Sequence, residues 1–490
     1  MKHIYTKVIE NTENIFWIMK KEISNKSSGR IYPSQITNVK IINTVAVYTT
    51  NELDEEVQIA QLACVDYDIL RQKYENGEDI NLNYTYIDNF SWYGTDKLYE
   101  VDEYVFRELG SFGACCSFWN AEDKESHLVS LMQLKIKNKD MYFNYSIFFK
   151  TMLNLTNITV LNGGLCFDNS KFYESDLSIL GVSCNKGMYH NGIISCNYTE
   201  YNNSKIWITA IKNEMDIDFL MSKMVNTELL IDAPIGSINK ICFTKSRIDS
   251  LRLEYCDITS IDARELLVNT IFFIGCKFKG LVEIHILNEV EMNIENCIIN
   301  SEVKLTFNKI PEILGFAKTL NSGKIYIQNF KEILPAILNN INKTNDIEQL
   351  LMLKENFKNF GQYIYEDICY SKYKKLENKL YARNLSSKLA NYINWGISDY
   401  GTKPLRMFIF ILFLILGFAI IYFMCPFLKF GNANTFIDYI YISGITFFTV
   451  GYGDILPLNE LTKIIVLMQA FLGVSSMSYF LVVLSRKIIR

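Results

Sequence analysis

Two long apolar stretches without a charged residue lie near the carboxyl end of this chain, over 407–428 and 464–484. In helical form, each stretch can cross a hydrocarbon core of about 30 Å. Charged residues border both stretches, which favours membrane-spanning helices over the alternative, a pair of buried helices in a soluble domain. The sequence therefore predicts membrane spans over 405–428 and 461–485.

The segment between these stretches predicts a short helix followed by an irregular loop. Thr435 and Asp438 have the spacing of a capping box, which starts a helix. The helix would run to about Phe448 and lead directly into the hexapeptide 449–454, with its negative dipole end towards a passing cation. Irregular backbone at membrane depth needs protein or water around it. One copy of this loop cannot provide that, so we expect a homotetramer.

The hexapeptide Thr-Val-Gly-Tyr-Gly-Asp has the chemistry needed to hold a dehydrated cation. An ion leaves water only if other oxygens replace its hydration shell, because an uncompensated buried charge costs tens of kcal/mol. Glycine permits backbone conformations that turn successive carbonyls to one side, and Thr-Val-Gly-Tyr-Gly carbonyls form the filter of potassium channels. A tight turn is the alternative for Gly-Tyr-Gly alone. The predicted K⁺-coordinating residues are Thr449, Val450, Gly451, Tyr452 and Gly453.

Residues 405–490, less than a fifth of the chain, resemble the two-helix potassium channel family. The resemblance rests on the filter motif and on the aromatic residues of the preceding helix, Tyr439, Tyr441, Phe447 and Phe448. It implies that Asp454 and Asp438 support the filter and that Val474 and Ser475 face a central cavity.

The resemblance also assigns Gly473, 19 residues past Asp454, as the gating hinge of the second span. Close helix packing is the alternative for a glycine in a membrane helix. Two residues depart from the family pattern: Phe448 stands where Thr or Ser is usual, and Ile445 occupies a position that is acidic in some members. Neither departure removes a coordinating oxygen, so the predicted selectivity for potassium is unaffected.

Basic residues near the span ends predict the orientation of the chain. Lys403 and Arg406 precede the first span, and Arg486, Lys487 and Arg490 follow the second. This asymmetry places both termini in the cytoplasm of a plasma-membrane protein. Charged residues interrupt roughly the first thirty positions, so we expect no signal peptide there.

A repeat in the middle of the chain predicts a β-solenoid. The segments 253–258, 273–278 and 294–299 recur at steps of 20 and 21 residues, each with a cysteine between apolar neighbours. A period near twenty without a helical pattern is typical of stacked coils, in which cysteine is a small apolar residue. The segment 168–198 indicates further coils. The pattern resembles a degenerate right-handed β-helix of pentapeptide-repeat proteins; an unrelated mixed β domain is the alternative.

The predicted fold class is a multidomain membrane protein with a mostly-β amino-terminal part, a helical linker and an all-α channel pore. In the first part we expect strands over 40–49 and 132–137 and a helix over 56–72. The predicted domains are a mixed β-rich cytoplasmic region over 1–150, a β-solenoid over 151–340, a helical linker over 345–404 and a pore domain over 405–490.

The linker shows helical periodicity from position 346, with a break at Gly361. A second helix over 363–383 is basic, and its charges predict either a solvated face or contact with anionic lipid. A third helix over 386–397 is amphipathic, and Trp395 is its expected anchor at the membrane surface. The predicted lipid contacts are Lys372, Lys374, Lys375, Lys379 and Arg383.

Composition excludes several other classes of function. The net charge is −4, without a basic stripe for nucleic acid, and the 12 cysteines and four histidines lack metal-ligand spacing. We find no catalytic constellation and expect neither enzyme activity nor a cofactor; K⁺ is the permeant ion.

The sequence thus favours a potassium-selective channel, gated by an unknown ligand or protein that binds 1–340 and moves 386–397. A membrane-anchored β-helix scaffold with a non-conducting pore segment is the main alternative. A membrane-bound carbohydrate enzyme is a third possibility, because β-helices also house polysaccharide lyases.

Overall fold

The computed structural model describes residues 4–9, 16–17, 37–50, 55–87, 107–109, 112–113, 117–119, 127–132, 134–137, 140–161, 163–185, 192–339, 341, 347–381 and 384–489. The chain divides into two compact units, Met1–Gln349 and Leu350–Arg490.

The first unit consists mainly of strands. Its amino-terminal strands are β1 Ile4–Ile9, β2 Phe16–Trp17, β3 Ile41–Thr50, β4 Glu56–Val65, β5 Ile80–Asn81, β6 Thr85–Ile87, β7 Arg107–Leu109, β8 Phe112–Gly113 and β9 Ser117–Trp119, with helix α1 Tyr67–Glu75 after β4. The later strands are β10 His127–Met132, β11 Leu134–Ile136, β12 Met141–Tyr142, β13 Ile147–Phe149, β14 Thr151–Thr156, β15 Thr159–Val160, β16 Leu165–Cys166, β17 Lys171–Tyr173, β18 Asp176–Leu180, β19 Ser183–Cys184, β20 Ile193–Ser195, β21 Glu200–Asn202, β22 Lys205–Thr209, β23 Met215–Asp218, β24 Lys223–Val225, β25 Glu228–Asp232, β26 Ser237–Cys242, β27 Arg247–Glu254, β28 Asp257–Ile274, β29 Lys277–Phe278, β30 Val282–Ile286, β31 Glu291–Glu295, β32 Ile298–Ile299, β33 Glu302–Phe307, β34 Ile313–Gly315, β35 Leu320–Asn321 and β36 Lys324–Ile327.

The amino-terminal strands confirm one expectation and correct another. The predicted strand over 40–49 is β3, which pairs antiparallel with both β1 and β4. The predicted helix over 56–72 is wrong in its first part, which is strand β4. Hydrogen bonding to β3 and β2 on this sheet outweighs the weak helical pattern of β4. Helix α1 begins only after Asp66, whose Oδ1 accepts hydrogen bonds from the amides of Asp68 and Ile69 at 3.1 and 3.4 Å.

Parallel pairing between successive coils builds a β-solenoid. Leu253 pairs with Phe273, and Phe273 pairs with Ile294. These partners lie at equivalent positions of the predicted repeat, which is therefore confirmed. Strands over the predicted segment 132–137 also belong to these ladders: β10 pairs with β14, and β11 pairs with β15. The ladder thus passes through position 150, and the predicted domain boundary there does not coincide with a break in pairing.

Stacked rows of identical or similar side chains fill the solenoid. The rings of Phe148 and Phe172 stack at 4.3 Å, and Phe172 stacks on Tyr201 at 4.7 Å. All three rings are buried. Because each coil repeats the backbone path of its neighbour, equivalent side chains lie one strand spacing apart and contact each other. These contacts between neighbouring coils stabilise the solenoid.

Two further rows support the same stacking. Cys256, Cys276 and Cys297 follow one another on successive coils and are buried, as expected for small apolar residues. Hydroxyl side chains form a buried ladder: the amide of Ser222 donates to Ser246 Oγ at 3.0 Å, and Ser222 Oγ donates to the Cys196 carbonyl at 2.6 Å. These bonds satisfy backbone groups at the solenoid corners.

Helix α2, Phe330–Asn339, follows the last coil and packs on β34. Its buried face is apolar and consists of Phe330, Ile333, Leu334, Ala336 and Ile337. Solenoids need such a terminal cover because the last coil has no neighbour to bury its inner residues.

The second unit is helical. Its elements are α3 Glu348–Asn359, which starts at the end of the first unit, α4 Tyr363–Tyr381, α5 Leu385–Ser398, α6 Pro404–Met424, α7 Phe436–Phe447 and α8 Glu460–Ile488, with short strands β37 Phe430–Gly431 and β38 Leu456–Pro457. Gly361 separates α3 from α4 in a left-handed conformation with φ of 68°, as its predicted role requires. Of the predicted helix over 363–383, Arg383 lies outside the described residues.

We predict that Phe172→Ala destabilises the solenoid by about 3–5 kcal/mol, because it removes a buried ring stacked on both sides. Urea unfolding of the full chain, followed by far-ultraviolet circular dichroism, measures this loss. Leu320→Ala is the control, since Leu320 is 66% exposed on β35 and its truncation should change the unfolding midpoint little. Equal midpoints for the two variants would contradict the stacked core.

Candidate functional site

Helices α6 and α8 are long and apolar enough to cross a membrane, with mean hydropathy values of 2.9 and 1.8 over their most apolar windows. Only 22% and 17% of these windows are buried within the protomer. Core helices of a soluble domain would be mostly buried, so this exposure disfavours the soluble alternative. The two helices are candidate membrane spans at the predicted positions.

The predicted capping box at the start of α7 is present. Asp438 Oδ2 accepts hydrogen bonds from the amides of Thr435 and Asn434 at 2.7 and 2.8 Å, and Thr435 Oγ1 accepts from the Asp438 amide at 3.4 Å. These bonds satisfy amides that have no partner within the helix. Asp438 therefore fixes the first turn of α7, at the end of the helix away from the hexapeptide.

The other end of α7 leads directly into the predicted filter. The Thr449 amide donates to the Thr446 carbonyl at 3.1 Å, and the Val450 amide donates to the Ile445 carbonyl at 2.8 Å. The helix thus ends through bonds that reach into the filter itself. Its carbonyl end carries a partial negative charge, which attracts a cation at this position.

The backbone of the predicted filter alternates between residues with positive φ and residues without it. Thr449, Gly451 and Gly453 have φ values of 54°, 57° and 79°, whereas Val450 and Tyr452 do not have positive φ. Glycine adopts this conformation at little cost, but a β-branched threonine does so rarely, at about 1–3 kcal/mol. Such strain persists where the surrounding structure enforces it and is typical of functional segments.

All five filter residues are exposed on the protomer, and Tyr452 is 72% exposed. Asp454 follows them, and Asn432 Nδ2 donates a hydrogen bond to its backbone carbonyl at 3.1 Å. The segment that follows the predicted filter is thus held by the Asn432 side chain, while residues 449–453 are exposed on the protomer.

Gly473 lies against the end of α7. A Cβ atom built on Gly473 would lie 2.2 Å from the carbonyl oxygen of Phe447, which is backbone and cannot move aside. Close packing therefore accounts for this glycine, and its predicted hinge role stays a prediction. Val474 and Ser475, the predicted cavity residues, are exposed on the protomer, with Ser475 Oγ donating to the Phe471 carbonyl at 2.8 Å.

A buried polar network joins α6, α7 and α8, and sequence reasoning missed it. The Tyr422 hydroxyl donates to Gln469 Oε1 at 2.5 Å, and Gln469 Nε2 donates to Ser443 Oγ at 2.6 Å. The three side chains are at most 1% exposed. The available signal was the amide of Gln469 within the uncharged stretch 464–484, where a polar group must find a partner.

The turn between α5 and α6 is organised around Asp399. Its Oδ1 accepts a hydrogen bond from Ser371 Oγ at 2.7 Å, and its carboxylate pairs with Lys403 at 3.0 Å and Lys375 at 3.6 Å. Burial raises the pKa of the Asp399 carboxyl, but the Ser371 hydrogen bond and the two lysines outweigh it, so the pKa lies below its usual range. The turn thus keeps a buried carboxylate ionised.

The predicted lipid contacts on α4 divide into two groups. Lys375 pairs with Asp399, and Lys374 pairs with Glu377 at 2.7 Å, so both have protein partners. Lys372 is half-buried and Lys379 is exposed.

Further ion pairs connect α4 with the end of α8. Arg486 Nη2 lies 3.5 Å from carboxylate oxygens of both Glu366 and Asp367, and Lys487 Nζ contacts Asp367. The carboxylate side chains are 4% and 10% exposed. Removing one partner of such a buried pair costs several kcal/mol, because the remaining charge stays desolvated.

We predict that Gly473→Ala prevents correct packing of α8 on α7, because the added methyl meets the Phe447 carbonyl. The amount of folded protein after detergent extraction, measured by size-exclusion chromatography, should fall strongly. Gly417→Ala is the matched control, since nothing lies within 4 Å of a Cβ at that position of α6. Normal recovery and thermal stability of Gly473→Ala would contradict this packing.

Comparisons with known proteins concern the same region. Residues 409–490 match the family model described as "Ion channel". Over 105 residues, the chain is 30% identical to "Two-pore potassium channel 4" of Arabidopsis thaliana, which is 21% of this chain and 37% of that protein. The chain thus spans little more than a third of this relative. No solved structure matches the chain. By the family match, residues 409–490 form an ion-channel domain, and a β-solenoid precedes it.

Proposed function

We propose that this protein is a potassium-selective channel that conducts K⁺ passively across the plasma membrane. The observation that carries the proposal is the filter backbone, in which Thr449, Gly451 and Gly453 alternate in the left-handed region at the end of a capped helix. The "Ion channel" match and the name of the plant relative support the same function.

The filter would select potassium by replacing its water. Carbonyl oxygens of 449–453, with the Thr449 hydroxyl, provide successive rings of ligands along an axis. The carbonyl end of α7 adds a favourable potential for the ion that enters them. Asp454 supports the outer end of the filter, where its backbone carbonyl accepts a hydrogen bond from Asn432.

The same residues require a homotetramer. Exposed irregular backbone with unpaired carbonyls is not tolerated in lipid, so other protein must surround it. Four copies around one axis place each exposed filter against its equivalents and line the cavity with Val474 and Ser475. In this assembly, the exposed faces of α6 and α8 contact lipid or neighbouring protomers.

Charge and polarity indicate how the chain meets the membrane. Lys403, Arg406, Arg486 and Lys487 border the spans on one side, which is the cytoplasmic side by the positive-inside rule. Helix α5 leaves Leu389 and Tyr392 62% and 67% exposed. We infer that α5 lies in the interface with Trp395 as its anchor, and that Lys372 and Lys379 reach anionic lipid.

We further propose that the amino-terminal solenoid regulates opening, in response to an unknown ligand or protein. Ion pairs between α4 and the end of α8 support this proposal. Helix α4 follows the solenoid in the chain, and α8 lines the conduction pathway in the proposed tetramer. Glu366, Asp367, Arg486 and Lys487 hold the last turns of α8. A displacement of α4 would therefore pull directly on the pore-lining helix.

We predict that the purified protein in liposomes conducts K⁺ far better than Na⁺ and is blocked by Ba²⁺, and that Tyr452→Asp weakens the selectivity. The substitution keeps the backbone carbonyl of residue 452 but replaces the aromatic side chain next to it by a charged one, which should disturb the position of that carbonyl in its ring. Tyr255→Asp is the control, because Tyr255 is 57% exposed on the solenoid and outside the pore. Equal K⁺ and Na⁺ flux would contradict the filter; no flux at all would favour the membrane-anchored scaffold. Enzymatic turnover by flux-negative protein would instead support the carbohydrate enzyme.

We predict that Asp367→Lys changes the open probability at least about fivefold, because it removes a carboxylate that partly neutralises Arg486 and Lys487. The double variant Asp367→Lys/Lys487→Asp, which exchanges the two charges, should restore most of the wild-type open probability. Lys463→Gln is the control, since it breaks an exposed pair with Glu460 at the other end of α8. Single-channel recording in bilayers measures these open probabilities. If the effects of the two single substitutions simply add in the double variant, the pair does not act on opening as a unit.

A further inference from the structure

The buried network of Tyr422, Gln469 and Ser443 lies in the region that the proposed channel embeds in the membrane. A primary amide without hydrogen-bond partners is costly there. Gln469 avoids this cost through three bonds: it accepts from Tyr422 Oη and donates to Ser443 Oγ and, at 3.0 Å, to the Ser443 carbonyl. Every polar atom of the Gln469 side chain is therefore used.

The bonds also have one direction. Ser443 Oγ accepts from Gln469 and donates its own proton to the Ile415 carbonyl at 2.7 Å. The chain of donors thus runs from Tyr422 on α6, through Gln469 on α8 and Ser443 on α7, back to α6. Such a closed set of bonds holds one arrangement of the three helices, because a rotation of any of them breaks at least one bond.

The network acts on the helix that carries the filter. Ser443 lies on α7, and Ile445, two residues further, accepts the bond from the Val450 amide of the filter. One turn beyond Gln469, Gly473 contacts the Phe447 carbonyl at the end of the same helix. Helix α8 therefore touches α7 at two points, a polar one at Ser443 and a close-packed one at Phe447.

We propose that Gln469 is a positioning residue for the filter: it fixes α7 to α8 so that Thr449 keeps its left-handed conformation. This inference rests on the proposed potassium channel function. Thr449 stays in a sparsely populated backbone region only while its surroundings over-determine it. Loss of the α8 contact frees α7 to shift, and the carbonyl rings then no longer match a dehydrated K⁺.

The test uses the full chain in planar bilayers, with the K⁺/Na⁺ permeability ratio taken from bi-ionic reversal potentials. Gln469→Met keeps the volume and removes all three bonds, so we expect the ratio to fall about fivefold to tenfold. Tyr422→Phe and Ser443→Ala each remove one hydroxyl and should lower it less. Combining Gln469→Met with Ser443→Ala should add little, because both act on the same contact.

Ser478→Ala is the matched control on α8. Its side chain is exposed, and its hydroxyl donates to the Val474 carbonyl of its own helix at 2.8 Å, so the permeability ratio should stay at the wild-type value. A purely structural role for Gln469 would lower thermal stability of the assembled protein without changing the ratio. The permeability ratio therefore separates positioning from simple stabilisation.

The outcomes distinguish this inference from the proposed function. A wild-type protein that does not select K⁺ would contradict both the proposed function and the positioning role of Gln469. Selective wild type together with unchanged selectivity in Gln469→Met would overturn the positioning role alone. If Gln469→Met does not assemble, Tyr422→Phe and Ser443→Ala decide the question: reduced selectivity supports the inference, and wild-type selectivity in both overturns it.

Discussion

A cation can cross hydrocarbon only where protein oxygens replace its water, and in the proposed channel the segment 435–454 is arranged around that requirement. Helix α7 starts at a capping box and ends through hydrogen bonds that extend to Val450. The filter that follows uses two glycines and a strained threonine in the left-handed region. The left-handed threonine costs free energy, whereas the capping box and the terminal hydrogen bonds stabilise α7. In the proposed channel, this arrangement presents backbone carbonyls to the ion.

Holding such a backbone requires support from the neighbouring helices. Gly473 permits α8 to approach the end of α7 closely, and Gln469 bonds to Ser443 one turn earlier. The far end of α8 carries the buried ion pairs with Glu366 and Asp367. One helix thus contacts both the filter-bearing helix and the linker helix α4. In the proposed channel, α8 would therefore transmit a movement of α4 to the filter.

The solenoid follows a different principle. Its stability comes from repetition, with Phe148, Phe172 and Tyr201 stacked as a row and hydroxyl groups bonded from coil to coil. Rows of this kind tolerate a degenerate sequence, because each position needs only a similar neighbour on the next coil. This explains why the repeat is visible in spacing and in the cysteine row but not as a clean five-residue period.

Sequence patterns were sufficient where a local rule determines structure. The capping box, the break at Gly361 and the register of Leu253 with Phe273 follow from residues close in sequence or from a regular period. The strand β4 was missed because sheet pairing with distant β3 decides its conformation. The Gln469 network and the partners of Lys375 depend on helices that meet only in three dimensions. The periodicity of a sequence does not predict contacts between helices that are distant along the chain.

In the proposed channel, four copies of one chain place the carbonyls of 449–453 around a common axis. Electron cryomicroscopy of the protein in lipid nanodiscs, prepared in K⁺ and separately in Na⁺, tests it most directly. We expect fourfold symmetry with a row of ion densities between the carbonyl rings in K⁺, and loss of that row in Na⁺. A particle without a shared axis, or filters that face lipid or protein without ions in K⁺, would contradict it.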